Sequence, residues 1–310
     1  MNAFLEFTLP EQKKDDVRIS YSQYSMYETC PKKWELTYIK KAAPYEASIH
    51  TVFGTAFHET LQHYLTVMYQ ESAKAADNLP INKILRDNMY TEYRNAYGKM
   101  LEHFSNKFEL EEFYDDGVAI LDWFKKRRGQ YFSKKTEELL GIEMLIYHPV
   151  SNENSHVMMK GFLDIVIRNK KTGRITIIDI KTSTRGWNKY QKKDKAKISQ
   201  LVLYKTYFAD QTGIPVDMID IKYMIVKRKL IEGAMFPQKR VVDFIPASGK
   251  PTRNKLVRSI NSFVSSCFNE DGTYNTERLY PAIAGKNGKN CKYCQFADNG
   301  MCPKVDRIKE

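Results

Sequence analysis

The apolar positions of this chain change period once, near the middle. Over residues 20–139 they recur every three to four residues, which places one greasy stripe along each helix. The pattern predicts a helix over 20–39, capped by Ser20 or Ser22 and broken or restarted at Pro31, next to Cys30. A second helix is expected over about 53–70, opened by Gly54. Two more are expected within 82–105 and 110–139, carrying Tyr90, Tyr93, Tyr97, Phe104, Phe113, Trp123 and Phe124. From residue 141 onward short β-branched runs take over. Strands are expected at 141–148, 156–168, 173–181, 218–228 and 233–243, with helices at about 195–210 and 250–268. Strand, strand, strand, helix, strand describes an α/β core wrapped by a helical N-terminal region. The chain divides into a loose leader 1–19, a helical region 20–140, a core 141–280 and a cysteine-rich segment 281–310, entered through a Gly- and Lys-rich linker. It contains no internal repeat and no low-complexity tract.

Two of the strands carry chemistry that core packing does not explain. Gly161–Arg168 and Gly173–Thr182 are joined by the turn Lys170-Lys171-Thr172-Gly173 and read as an antiparallel hairpin. A loop centred on Lys171-Thr172 sets Asp164 opposite Asp179, with β-carbons about 5 Å apart. Lys181 lies two residues beyond Asp179 and projects from the same face. Two carboxylates and the Ile180 carbonyl form a hard donor set suited to Mg²⁺ or Mn²⁺ and to phosphodiester hydrolysis, with Lys181 placed to position the attacking water or stabilise the developing charge. The plain alternative is an edge-strand salt bridge.

Other residues gain meaning beside that hairpin. His58 follows Gly54 by four residues and could present a ring nitrogen to the same metal, though both it and His63 would also suit a helix surface. Gln200 and Tyr204 stand four apart, on one face of a helix, where an amide and a phenol can contact a phosphate or orient water. Glu143, in the preceding strand, is a further candidate ligand or support. The stretch containing Arg185, Trp187, Lys189, Tyr190, Lys192 and Lys193 interleaves cations with aromatics, as a nucleic-acid strand requires and a solvated loop also permits.

Composition narrows the class. The chain has 310 residues, 49 Lys and Arg against 37 Asp and Glu, and a net charge of +12, which suits a polyanionic partner, nucleic acid first. No apolar run reaches the length of a membrane helix. The first ten residues lack the form of a secretory signal, so the expected compartment is the reducing cytosol. There, clustered cysteines more often bind metal than pair. Cys291, Cys294 and Cys302 supply three thiolates and Cys30, before a proline, is the natural fourth. A tetrathiolate set suits an iron–sulfur cluster or structural zinc. Cys267 sits in an apolar helical stretch and is expected to be a packed thiol.

Taken together, these residues resemble the RecB-like branch of the PD-(D/E)XK nuclease superfamily, particularly members with an iron–sulfur staple such as the AddB nuclease domain and the CRISPR-associated RecB-like nucleases. The resemblance runs in order through Ser20-x-Ser22 to Cys30-Pro31, Gly54-x-x-x-His58, Gly161-x-x-Asp164, Asp179-x-Lys181, Gln200-x-x-x-Tyr204 and the closing cysteines. It departs in having no proline before Asp164, Asp rather than Glu as second acid, and seven residues between Cys294 and Cys302. The likeness implies a restriction-endonuclease-like mixed sheet and a cation-dependent DNA nuclease, often an exonuclease acting on single strands or ends. It implies Mg²⁺ or Mn²⁺ on His58, Asp164, Asp179 and the Ile180 carbonyl, with Lys181, Gln200 and Tyr204 as catalytic side chains. It also implies a [4Fe-4S] cluster on Cys30, Cys291, Cys294 and Cys302. No phosphate-binding Gly-x-x-x-x-Gly-Lys-Ser/Thr loop occurs, so duplex unwinding would come from a partner such as a helicase, recombination or CRISPR protein. The rival expectation is a non-catalytic DNA-binding or assembly subunit; RNA as substrate also stays open.

Overall fold

The computed structural model describes residues 11–297 and 299–308. The first ten residues, which are the whole segment read for a secretory signal and about half of the expected leader, lie outside them. Among the described residues no helix is long and apolar enough to cross a membrane.

The elements follow in the order β1 (Val17–Ile19), α1 (Tyr21–Thr29), α2 (Pro31–Trp34, prolonged by a π-helical turn to Ile39), α3 (Ile49–Gln70), α4 (Ala73–Asp77), α5 (Ile81–Met100) and α6 (Lys107–Lys125). The second half contributes β2 (Glu137–Pro149), β3 (Val157–Asn169), β4 (Ile175–Ser183), α7 (Lys195–Thr212), β5 (Ile219–Lys227), β6 (Val241–Phe244) and α8 (Lys250–Cys267), closing with the short pair β7 (Ala282–Ile283) and β8 (Arg307–Ile308). Six strands form one mixed sheet in the order β1-β3-β4-β5-β6, with β2 also paired to β3. β2–β3, β3–β4 and β5–β6 are antiparallel; β1–β3 and β4–β5 are parallel. This mixed sheet with helices on both faces is consistent with a restriction-endonuclease-like fold.

Side-chain alternation along β4 divides the interior in two. Ile178 and Ile180 face the layer made by α3, α5 and α6, while Ile177 faces α7, α1 and α8. Both layers are closely covered: Ile177, Ile178 and Ile180 are fully buried, as are Trp34 on one side and Tyr64 on the other. The sheet is therefore a septum whose central strands have no polar face to offer, except where it opens.

That opening is set by the pairing of β3. One edge of β3 is occupied by β2 almost throughout, Met158 to Asn169. The other edge is shared: β1 takes Val157–Met159 and β4 takes Ile165–Arg168. Residues 160–164 on that edge pair with neither strand, leaving a notch between β1 and β4.

Several expected boundaries move for identifiable reasons. The helix expected from Phe53 begins at Ile49, because Ser48 and Thr51 cap one another across the first turn. Gly54 is thus interior; a β-carbon there would lie 3.3 Å from Thr182 Oγ1, so the glycine lets α3 lie close against β4. The helix expected over 110–139 stops at Lys125, and Glu137 already belongs to β2. The strand expected over 233–243 is reduced to Val241–Phe244; residues 231–240 form the exposed tip of a hairpin. The expected loose leader contributes β1, a three-residue strand too short to show a period.

Candidate active site

The notch collects the polar residues. The β3–β4 ladder ends at the pair Ile165–Ile178, and its next step sets Asp164 against Asp179. There the ladder is broken by a side chain: the Ile180 N–H donates to Asp164 Oδ2 at 2.7 Å. Lys181, next along β4, brings its ammonium to 2.7 Å from Asp179 Oδ2. Asp179 is buried and Asp164 mostly so, and burial raises each to about 6 against the opposing pull of Lys181. Burial also works against the Lys181 ammonium, but Asp179 and Asp164 outweigh it and carry its pKa upward.

Helix α3 supplies the opposite wall. His58 Nδ1 stands 3.5 Å from Asp164 Oδ2. Burial drives His58 down to about 4, so the ring is neutral at physiological pH and has a lone pair to give. Gln62, one turn further on, is buried; its amide donates to Glu143 Oε1 at 2.6 Å and to the Asp164 carbonyl at 3.2 Å. Glu143 holds a φ of +49°. A long side chain in the left-handed region is disfavoured by about 1–3 kcal/mol. The β2–β3 pairing skips Glu143, which falls opposite Asp164, between the pairs Ile142–Ile165 and Met144–Leu163. His63 points to solvent and is not part of the site.

Helix α7 closes the notch on the other face of the sheet. Gln200 Oε1 accepts from Lys181 Nζ at 3.3 Å, and Gln200 Nε2 lies 3.4 Å from the Tyr204 hydroxyl. Tyr204 reaches β3 only because residue 161 is glycine: a β-carbon there would stand 2.6 Å from the phenol ring and its oxygen. A cavity of about 450 Å³ opens here, lined by Arg18, Ser20, Ser22, Lys160, Phe162 and Tyr204 among others. Sequence reading missed Arg18, Lys160, Phe162 and Gln62. For Gln62 the signal was present, since it follows His58 by four residues on one helical face.

The basic segment after β4 behaves in two ways. Arg185, Lys189 and Lys193 are exposed, as is Tyr190 beneath the Lys189 ammonium at 5.2 Å. Lys192 is half-buried, its ammonium 5.7 Å from the Phe244 ring. Trp187, expected as a stacking platform, is half-buried and packs on the core against Tyr223 at 5.0 Å and Phe244 at 6.0 Å.

A second cluster lies at the corner between α1 and α2. Cys30, Cys291, Cys294 and Cys302 are all free thiols and line one small cavity. Asn290 ties the closing segment to the corner by donating to the Thr29 carbonyl at 3.0 Å, and the Lys32 N–H donates to the Pro281 carbonyl at 3.0 Å. Arg307 Nη2 donates to the Cys302 carbonyl at 2.6 Å. Burial raises the Cys302 thiol, and Cys30 and Cys291 add to the effect. Cys267 is buried on α8 and pushed up to about 11 by burial, as a packed thiol should be.

Among the described residues no group of three or more His, Cys, Asp or Glu side chains is drawn together tightly enough to form a closed metal centre. The donor chemistry still suits cations at both clusters. In the notch, Asp179 Oδ2 is buried and accepts no well-aligned hydrogen bond despite the nearby ammonium. Carboxylates and a neutral imidazole match Mg²⁺ or Mn²⁺, whereas four thiols match a soft metal or cluster. A family model of the PD-(D/E)XK nuclease superfamily matches residues 18–303. No curated protein matches the chain at a significant level. The matched span holds the whole six-stranded sheet apart from Val17, the notch and its acids and lysine, and the chain belongs to the PD-(D/E)XK nuclease superfamily.

Proposed function

We propose that the protein is a cation-dependent deoxyribonuclease of the RecB-like branch, an exonuclease acting on single-stranded DNA or on DNA ends. The observation that carries this reading is the convergence of Asp164, Asp179, Lys181 and His58 on one notch, where Asp179 Oδ2 is buried with the Lys181 ammonium as an ion-pair partner and without a well-aligned hydrogen bond. His58, Asp164, Asp179 and the Ile180 carbonyl would hold Mg²⁺ or Mn²⁺, which neutralises phosphate charge and makes hydroxide accessible near neutral pH.

The chain's own residues then divide the work. Asp179 and Gln200 hold the Lys181 ammonium from two sides, so it can donate to the attacking water or to the developing phosphorane charge without reorganising. Tyr204 and Gln200 offer a hydroxyl and an amide to a non-bridging phosphate oxygen. Glu143 and Gln62 fix the Asp164 backbone, which sets the direction of its carboxylate. Arg185, Lys189, Tyr190, Lys192 and Lys193 bear on the DNA strand. Cys30, Cys291, Cys294 and Cys302 hold a structural [4Fe-4S] cluster that ties the first helices to the closing segment. The protein works in the cytoplasm, in repair, recombination or phage or CRISPR DNA processing, beside a partner that supplies any unwinding.

The test is a cleavage assay on labelled linear single strands, linear duplexes and circles, with Mg²⁺, Mn²⁺ or EDTA. Cleavage of linear DNA with either cation, absent in EDTA and in Asp179→Asn while DNA binding persists, is the expected result. DNA binding without cleavage under every condition would identify a non-catalytic binding subunit instead.

A further inference from the structure

The hairpin between β5 and β6 is built like a finger and stands at the catalytic end of the sheet. β5 runs parallel to β4 with Lys181 beside Ile225 and Ser183 beside Lys227, so the chain leaves the sheet two residues beyond the catalytic lysine. The pairing continues past the strand ends: the Arg228 N–H donates to the Ser183 carbonyl and the Lys229 N–H to the Thr184 carbonyl, at 2.8 and 2.7 Å. The base of the hairpin is rigidly braced. Arg228 Nη1 bonds Glu112 and Asp116 of α6 at 2.9 and 2.6 Å, with its guanidinium 3.8 Å from the Phe113 ring centre. Lys229 joins the same two carboxylates at 2.9 and 3.0 Å. Higher up, Gln238 clamps residue 231 twice, accepting from its N–H at 3.0 Å and donating to its carbonyl at 2.7 Å.

Above this brace sit three large apolar side chains with nothing to cover them. Ile231 is 64% exposed, Phe236 76% and Met235 91%. A loop with no task would gain nothing from holding such residues out on a fixed stalk. Cations outnumber acids around them: exposed Glu232 and Lys239 offset one another on the hairpin, while Gly186 of the basic loop after β4, which carries exposed Arg185 and Lys189, lies against the Lys227 side chain. Apolar faces beside a loop with a surplus of cations suit the flat faces of unpaired bases attached to a phosphate backbone. They do not suit a second copy of this chain, whose net charge is +12.

We infer that the Ile231–Gln238 finger is a base-stacking platform for unpaired nucleotides of the substrate strand beside the scissile bond, with Phe236 as the stacking ring and Met235 as its flexible flank. This rests on the nuclease reading above and deepens it by naming the element that holds the bases of the unpaired strand. Glu112, Asp116, Arg228 and Gln238 are positioning residues in this arrangement, since they hold the finger without touching the strand.

The test measures binding of the full chain in EDTA, where no cleavage occurs, to three labelled probes of equal length: an unpaired oligonucleotide, the same backbone with abasic sites, and a blunt duplex. The double variant Met235→Ser with Phe236→Ser should bind the base-bearing strand about tenfold more weakly and the abasic strand unchanged. Phe236→Trp should retain affinity, and its indole emission should be quenched by the base-bearing strand but not by the abasic one. Equal loss on both single strands, no loss on either, or unchanged DNA binding with a shift in oligomeric state each overturns the platform. Hydrolysis of bis(p-nitrophenyl) phosphate with Mn²⁺, which has no bases to stack, tests the nuclease reading independently. Hydrolysis together with undiminished binding of the base-bearing strand by the serine variant would sink the finger alone.

Discussion

The two clusters that could hold metal are made in opposite ways. The acidic notch draws donors from α3, β2, β3 and β4, elements that bury their apolar faces on both sides of one sheet. Its hydrogen bonds, from Ile180 to Asp164 and from Gln62 to Glu143, are already formed without a cation. The thiol cluster draws three of its four donors from residues 291–302, which contain no strand or α-helix among the described residues. It is attached to the body of the fold by a few bonds such as Asn290 to Thr29. A cation should therefore complete the first site and largely create the second. Removing ligands should lower activity in one case and stability in the other.

The largest break in that comparison comes from Cys30. Closing the segment between Cys30 and Cys291, about 260 residues, is worth about 5–6 kcal/mol on chain-entropy arithmetic. Cys30→Ser should lower the melting temperature by many degrees and remove the visible charge-transfer absorption of an iron–sulfur cluster. A colourless, zinc-loaded wild type prepared without air would replace iron with zinc; an unchanged melting temperature would show that the cluster is no staple.

Lys181→Gln should do the reverse. A neutral amide can still bond Asp179 but cannot carry charge into the transition state. Cleavage should fall about a thousandfold, equivalent to about 4 kcal/mol, while circular dichroism and the melting temperature stay near wild type. Loss of fold in this variant would mean that the ion pair, rather than the chemistry, is what the notch needs.

Asp179→Asn sharpens the contrast through pH. In the metal-free protein burial lifts Asp179 from 3.8 to about 6, so the folded state holds its proton more tightly than the unfolded chain does. Wild-type stability from this group is then full below pH 4 and is lost as pH rises through 6. The asparagine variant, which never ionises, should be the more stable form at pH 8, by about 3 kcal/mol at most, and its advantage should vanish by pH 4. Denaturant melts at both pH values in EDTA decide it. A variant less stable than wild type at pH 8 would show that Lys181 stabilises the ionised acid more than burial opposes it.

What the sequence disclosed follows from how each feature is encoded. The alignment of Asp164 with Asp179 was readable because the turn at Lys170–Gly173 sets the register of two long alternating strands. His58, Gln200 and Tyr204 were readable as types at helical spacing, yet not as neighbours, because that depends on which helix covers which face of the sheet. The notch itself was not readable. It arises because β1, three residues from a segment with no period of its own, shares one edge of β3 with β4. The packing of Trp187 was unreadable for a related reason: cations around an aromatic look alike whether the ring is fully exposed or, as here, half-buried against Tyr223.

The smallest expected effect tests whether the notch's geometry, and not only its ionic groups, matters. Gly161→Ala places a methyl 2.6 Å from the Tyr204 ring and hydroxyl, which forces the phenol off β3. Overpacking of this kind costs about 1–3 kcal/mol. The displaced hydroxyl also loses its place beside Gln200, which in turn bonds Lys181. Cleavage should fall roughly tenfold, in kcat rather than KM, with cation affinity and the thiol cluster untouched. Combining Gly161→Ala with Tyr204→Phe separates the two routes. If the phenol's position is what counts, the double variant should be no slower than Tyr204→Phe alone. A further loss would place the effect in β3 itself, where the same methyl would have shifted Asp164 three residues along the strand.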